Sequence, residues 1–316
     1  MFYLFVLKII IIMLKKSINT STYNYINNLN KIYITDVTLK DGLQSFYKVI
    51  SPKNRAIIGK KIASLGLVNI EIGSTESEII APQMYDSLSI YSDMKKFNSN
   101  LNYFIHTSNN LGIEKLMRYN VKDISFVTSP SDTFNYKAYN CNTIDNLQNI
   151  DKMINNVTND AYLKIHINCI NECPYEGEIH LDKIIGCIYY LYDLKFNEIC
   201  LNDTLGTLTK KNLNIILSNL DDDVIDKLSI HLHRKKNNNN WKNIVTCCLE
   251  NNINSFDTSL LNLGGYEPIN NKYEKTKNLN LKDLLLFIEE IGYLHHIRTD
   301  QIENVEIDIR KILLHS

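Results

Sequence analysis

The chain has 316 residues, 44% of them hydrophobic and 22% charged, the balance of a folded globular protein with a full core. Its 34 Lys and Arg against 35 Asp and Glu argue against a surface built to follow a nucleic-acid backbone. The seven cysteines show no repeated C-x-x-C spacing, which speaks against a disulfide framework or a zinc ribbon and for a reducing, cytoplasmic setting.

Residues 1–30 read as an apolar leader and a polar linker. Met1 to Leu14 is broken only by Lys8 and is followed by Lys15-Lys16. This run is shorter than the ~20 apolar residues a spanning helix needs. It also lacks the basic leading segment and small-residue cleavage site of a signal sequence. A weakly ordered leader is expected, with membrane contact the lesser alternative and Met13 a second candidate start. Residues 31–316 are expected to form one catalytic domain.

That domain opens with a buried strand at 32–37 and a polar loop from Thr38 to Ser45. Ser51 caps a helix with Pro52 at its first position; Ile57, Ile58, Ile62 and Leu65 continue it, and Gly66 ends it. Further strand-like runs lie at 68–72, 101–105, 123–127, 162–168, 197–201, 227–233 and 253–257. Helical patterns lie at 113–119, 144–156, 181–194, 212–220, 241–251 and 281–291. Eight strand-then-helix units predict an α/β fold, a closed (β/α)8 TIM barrel. Chemistry in such a barrel sits at the C-terminal strand ends. The unusual polar residues fall there: Asp41, Glu71, Asp203, His231 and His233.

On a strand, His231 and His233 share one face and can share a metal ion; the alternative is two polar residues hydrogen-bonded in a cleft. Asp41, with Gly42 allowing a tight turn beside it, offers a carboxylate suited to a hard divalent ion. A mixed oxygen and nitrogen set favours Mg²⁺ or Mn²⁺ over tetrahedral zinc.

Several motifs in a shared order resemble the 3-hydroxy-3-methylglutaryl-CoA lyase family, within the metal-dependent TIM-barrel lyases and aldol or Claisen synthases. Asp41-Gly42-Leu43-Gln44 resembles its R-D-G-L-Q, Ile70-Glu71 its I-E and Ala81-Pro82-Gln83-Met84 its V-P-Q-M. Cys173-Pro174-Tyr175-Glu176-Gly177 reproduces C-P-Y-E-G, and Asn202-Asp203-Thr204-Leu205-Gly206 resembles G-D-T-I-G. His231-Leu232-His233 matches H-C-H, and Asp257 with Leu263-Gly264-Gly265 resembles the last strand and signature loop.

The resemblance implies metal ligands at Asp41, His231, His233 and an Asn beyond the signature loop, expected at Asn278, where Asn278 to Leu284 resembles the family's N-x-A-T-E-D-L, with Asn271 the weaker contender. It implies an acyl-CoA substrate cleaved to acetyl-CoA and acetoacetate, and a homodimer is expected. Catalytic roles fall to Lys40, Glu71, Asp203, Tyr266 and His231, the last as metal ligand and proton carrier. Gln44, Thr204, Lys235 and Lys236 would contact substrate, the two lysines through the coenzyme's phosphates.

Two departures stand out. Lys40 occupies the place of the family's catalytic Arg, giving a point charge in place of a planar fork. Tyr266 occupies that of its catalytic Cys. A Claisen-type 2-alkylmalate synthase and an inactive barrel that binds metal, acyl-CoA or a protein partner are therefore the alternatives. The first lacks room for a regulatory domain after the barrel; the second draws on Lys40 and Tyr266.

Overall fold

A computed structural model describes residues 31–236, 238–268 and 273–316; the leader, the linker and Asn271 lie outside them. Eight parallel strands form the centre: β1 (Tyr33–Asp36), β2 (Asn69–Ser74), β3 (Asn102–His106), β4 (Asp123–Thr128), β5 (Tyr162–Asn168), β6 (Glu198–Asp203), β7 (Leu228–Arg234) and β8 (Ser255–Thr258). Each pairs with the next, and β8 pairs back onto β1, with Tyr33 opposite Ser255. The barrel is closed.

The strands alternate in character, and that alternation decides what fills the barrel. In β5, Ile165 and Ile167 are buried among the core, whereas Lys164, His166 and Asn168 hydrogen-bond to residues of β6 or β8. In β7, Ile230 and Leu232 join the core, and His231 and His233 turn inward. Barrel interiors of this class are commonly layered with branched apolar side chains. Here much of the interior is a polar network.

Around the strands run α1 (Pro52–Ser64), α2 (Ser87–Phe97), α3 (Asn110–Arg118), α4 (Asp132–Tyr139), α5 (Thr143–Ile154), α6 (Leu181–Asp193), α7 (Lys210–Leu217), α8 (Asp222–Ile225), α9 (Asn240–Glu250), α10 (Leu281–Glu290) and α11 (Ile302–His315). As the sequence predicts, the Ser51 side chain caps α1 by accepting the Asn54 amide at 3.2 Å. Sequence periodicity misses α2, α4, α8 and α11. Helix α2 starts after Asp86, which sits in a left-handed conformation and makes no side-chain cap, so its start carries no legible signal. None of the helices among the described residues is long and apolar enough to cross a membrane.

Two expectations need correction. Residues Thr38–Gly42 are a single π-helical turn with Thr38, Leu39 and Gly42 buried, not an open polar loop. Glu71 is the third residue of the six-residue β2, not its end; the strand continues through Gly73 to Ser74.

Candidate metal centre

The turn after β1 is fixed by Asp36, whose two carboxylate oxygens accept the Thr38 amide and hydroxyl, both at 3.0 Å. Its closing hydrogen bond runs from the Gly42 amide to the Val37 carbonyl at 2.9 Å. Lys40 and Asp41 are thereby presented together. Across the barrel, Lys277–Asn278 pairs antiparallel with β7, placing Asn278 opposite His233. The Asn278 amide then donates to Asp41 at 2.6 Å.

Hydrogen bonding dictates the histidine tautomers. His233 Nδ1 faces the Thr204 carbonyl at 2.7 Å, which can only accept, so Nδ1 carries the hydrogen and Nε2 is left with its lone pair. His231 Nδ1 faces the Asp257 carboxylate at 3.2 Å, with the same consequence. The two Nε2 atoms lie 3.1 Å apart. Two lone pairs at that distance repel unless a proton or a metal ion lies between them.

The charges tell the same story. Burial pulls His231 down, but hydrogen bonding and charge from Asp257, with Asp41, outweigh it and hold it above its ordinary value. Burial and His231 push His233 down to about 4. Burial raises Asp41, yet His231, Lys40, His233 and the Asn278 hydrogen bond together leave it below its ordinary value.

A divalent ion fits this set. Ligand atoms of Asp41, His231 and His233 all lie within 4.8 Å of one another. The carbonyl oxygen of Asn278 is buried with no hydrogen-bond partner, an orphan acceptor beside the same carboxylate. Gly264 closes the site: with φ of +81°, its place for a Cβ is 2.5 Å from both Asp41 Oδ2 and Asn278 Nδ2. Gly264→Ala is expected to weaken Mn²⁺ binding more than tenfold and, because a Cβ is strained at this φ, to lower the melting temperature as well, as read by calorimetric titration and thermal unfolding. Unchanged affinity would refute the close-packing argument.

Beneath the ligands is a buried ionic network. The Lys164 ammonium lies 2.6 Å from Asp257 and 2.8 Å from Glu198, the latter an ion pair poorly aligned as a hydrogen bond. Burial opposes the charge on Asp257, but Lys164 and the histidines hold its carboxyl far below the usual range. His166, Cys200 and Asp257 also gather potential ligand atoms. The ammonium already seated on Asp257 makes that group a charge-paired network and not a second ion site.

The HMGL-like family matches residues 31–309. The chain belongs to the HMGL-like family. It is 26% identical over 265 residues to the mitochondrial hydroxymethylglutaryl-CoA lyase of Homo sapiens, covering 83% of this chain and 79% of that one. It is 25% identical over 287 residues to the cytoplasmic 3-hydroxy-3-methylglutaryl-CoA lyase of Mus musculus, covering 89% and 78%. Two solved structures share the fold. The HMG-CoA lyase of Brucella melitensis superposes with a TM-score of 0.81 at 21% identity, covering 91% of this chain and 100% of that one. An HMG-CoA lyase of Acinetobacter baumannii, in complex with coenzyme A and 3-methylmalate, gives 0.81 at 20% identity, covering 91% and 93%.

The HMGL-like motifs are not all gathered at one point. Asp41, His231, His233 and Asn278 converge, and Lys40 is close enough for its charge to act on Asp41, His106 and His166. Glu71 lies inside the barrel and accepts the Ser125 hydroxyl at 2.6 Å. Asp203 spends both carboxylate oxygens on the amides of Thr207 and Leu208, at 2.9 and 3.1 Å. It therefore fixes the loop that carries Thr204, whose carbonyl faces His233. The Thr204 hydroxyl in turn accepts the Cys169 amide at 2.8 Å.

Tyr266 belongs to the loop that carries Gly264; its amide donates to the Thr276 hydroxyl at 2.8 Å and its carbonyl accepts the Thr276 amide at 3.0 Å. Its hydroxyl is near Tyr175 of the C-P-Y-E-G segment, which folds as a small hairpin, Glu172–Cys173 against Gly177–Glu178. Lys235 is half-buried beside Gly206, whereas Gln44 and Lys236 are exposed. His231 turns Nδ1 to Asp257 and Nε2 to His233, within the group of potential ligand atoms.

Sequence reasoning passed over Lys164, His166, Asn202 and His106. The signal was present in β5, where Lys164, His166 and Asn168 alternate with apolar neighbours. Polar residues at inward positions of a barrel strand are too costly to bury without partners, which marks them as a built network.

Proposed function

We propose that this chain is a divalent-metal-dependent carbon–carbon lyase that cleaves 3-hydroxy-3-methylglutaryl-CoA, or a closely similar 3-hydroxyacyl-CoA, to acetyl-CoA and acetoacetate. The observation that carries this reading is the convergence of two histidine lone pairs on the Asp41 carboxylate, beside the orphan oxygen of Asn278. Carboxylate, amide oxygen and two imidazoles suit Mg²⁺ or Mn²⁺. An ion held there would make a bound hydroxyl more acidic and polarise oxygens of the substrate.

The protein's own groups supply the remainder. Lys40 places positive charge where the thioester enolate develops, the largest electrostatic help such a site gives. Asp257 and the Thr204 carbonyl orient His231 and His233 through their far nitrogens. Glu71 and Tyr266 are assigned to the substrate side, and Gln44, Thr204, Lys235 and Lys236 to substrate and phosphate contacts. An acyl-CoA ligand is supported by the coenzyme A in the Acinetobacter baumannii structure. A homodimer belongs to the same reading, as does a cytoplasmic setting, which the seven free thiols fit.

Purified protein with Mg²⁺ or Mn²⁺ is expected to release acetoacetate from 3-hydroxy-3-methylglutaryl-CoA, and Lys40→Ala to lower kcat about 100-fold. No acetoacetate, beside a working lyase control, would sink the lyase reading. Metal and thioester binding without turnover would identify an inactive barrel; thiol release from acetyl-CoA with a 2-oxo acid would identify a synthase.

A further inference from the structure

One buried group in the barrel is built for a partner that no protein atom supplies. His166, on β5, is 4% exposed, and its Nε2 has no hydrogen-bond partner. Leaving such an atom unpaired in a folded interior is costly unless a ligand or a water satisfies it.

Its chemical state follows from its neighbours. His166 Nδ1 faces the Asn202 side-chain oxygen at 3.4 Å and the Asp257 carboxylate at 3.7 Å. The Asn202 oxygen can only accept, and the Asp257 charge just beyond hydrogen-bond distance favours the same tautomer, so Nδ1 carries the hydrogen. The Asn202 amide is itself directed by a 2.7 Å bond to Asn168, which presents its oxygen to the imidazole. With the hydrogen on Nδ1, a neutral ring leaves Nε2 a lone pair, a hydrogen-bond acceptor and not a donor.

Its place is as telling as its state. The ring packs edge-on against His231, with centroids 6.3 Å apart and planes at 84°. The Lys40 charge that acts on Asp41 acts on His166 as well. A small substrate held at Asp41, His231 and Lys40 would therefore adjoin this ring.

We propose that His166 is a specificity-determining residue: its Nε2 accepts the hydrogen of a substrate hydroxyl, so the site selects 3-hydroxyacyl ligands over their deoxy counterparts. The inference rests on the acyl-CoA reading for the identity of the ligand, and the Nδ1 contacts give it footing of its own. A site that hydrogen-bonds a substrate hydroxyl rejects the analogue lacking it, because the buried partner is then left unpaired.

The test measures binding, without turnover, at saturating Mn²⁺. The probes are 3-hydroxy-3-methylglutaryl-CoA and 3-methylglutaryl-CoA, with the two free acids as a second pair. His166→Phe keeps the bulk of the ring and removes the acceptor. It is expected to weaken the hydroxylated ligand about tenfold and to leave the deoxy ligand unchanged. An equal effect on both, or none, overturns the inference and leaves His166 a packing residue or the seat of a buried water. Nitrogen NMR of imidazole-labelled wild type tests it without any variant: Nδ1 protonated and Nε2 bare supports it, and the reverse tautomer overturns it.

The same measurements separate this inference from the lyase reading. A selective loss without acetoacetate formation keeps the inference and rejects the lyase. Binding of the acids but not the thioesters rejects the acyl-CoA reading and leaves His166 to be judged on the acids. Absence of any preference for a hydroxylated ligand in the wild type rejects the inference outright.

Discussion

Asp41→Ala is expected to lower the affinity for Mn²⁺ by at least about 100-fold, more than losing a group that merely supports a ligand. Asp41 is the negative charge of the site, and its removal leaves the facing Nε2 atoms of His231 and His233 with nothing but Asn278 to complete a cation's shell. It also strips Asn278 of the acceptor for its amide. The barrel should remain folded, because the turn is tied by Asp36 and Thr38 and not by Asp41. Titration calorimetry with Mn²⁺, beside a thermal unfolding curve, reads both. Undiminished affinity in a folded variant would show that the ion is held elsewhere. Lost affinity together with a lost fold would instead assign Asp41 a structural role.

A second large effect belongs to the floor of the site. Lys164→Met leaves Asp257 and Glu198 as buried carboxylates without their shared cation, and is expected to cost about 3–5 kcal/mol of stability. The pH dependence has a definite sign. In the wild type the folded Asp257 lies below its ordinary value, so the pair's stabilisation is present above about pH 4 and lost as pH falls below it. In the variant the lowering by Lys164 is gone while burial still raises Asp257, so less of the stabilisation present above about pH 4 remains. The deficit is therefore largest near pH 7 and shrinks toward pH 4. Urea unfolding at the two pH values measures it, and a deficit independent of pH would contradict the assignment. Because Asp257 also holds His231, the variant should bind Mn²⁺ more weakly as well.

Much of this protein is legible before folding. Strand periodicity marks the seven runs from β2 to β8, and Ser51-Pro52 marks the start of α1, because capping and alternation are local physics. The motif residues that turn out to be neighbours also stand out in the chain: Asp41 beside a glycine, two histidines two apart on a strand, and Asn278 beyond the glycine loop. What escapes is whatever depends on a distant partner. The π-helical turn at Thr38–Gly42 rests on Asp36 and on the Leu260 amide, which donates to the Thr38 hydroxyl at 2.9 Å across 222 positions of chain. Helix α2 begins without a cap, and its boundaries come from packing against α1 and β2.

The sequence by itself determined the architecture and the ligand types, since alternation, capping and motif order are carried by residues close together in the chain. Only the tertiary structure decided their roles. Closing the barrel brings Asp257 to Nδ1 of His231 and the Thr204 carbonyl to Nδ1 of His233, and so turns both Nε2 lone pairs onto Asp41. It commits Asp203 to its own loop and leaves His166 with a bare, unpaired nitrogen. A tautomer is set by whichever group faces the ring, and those groups lie up to 93 residues apart along the chain in the case of Lys164 and Asp257, the pair on which His231 and His166 both depend.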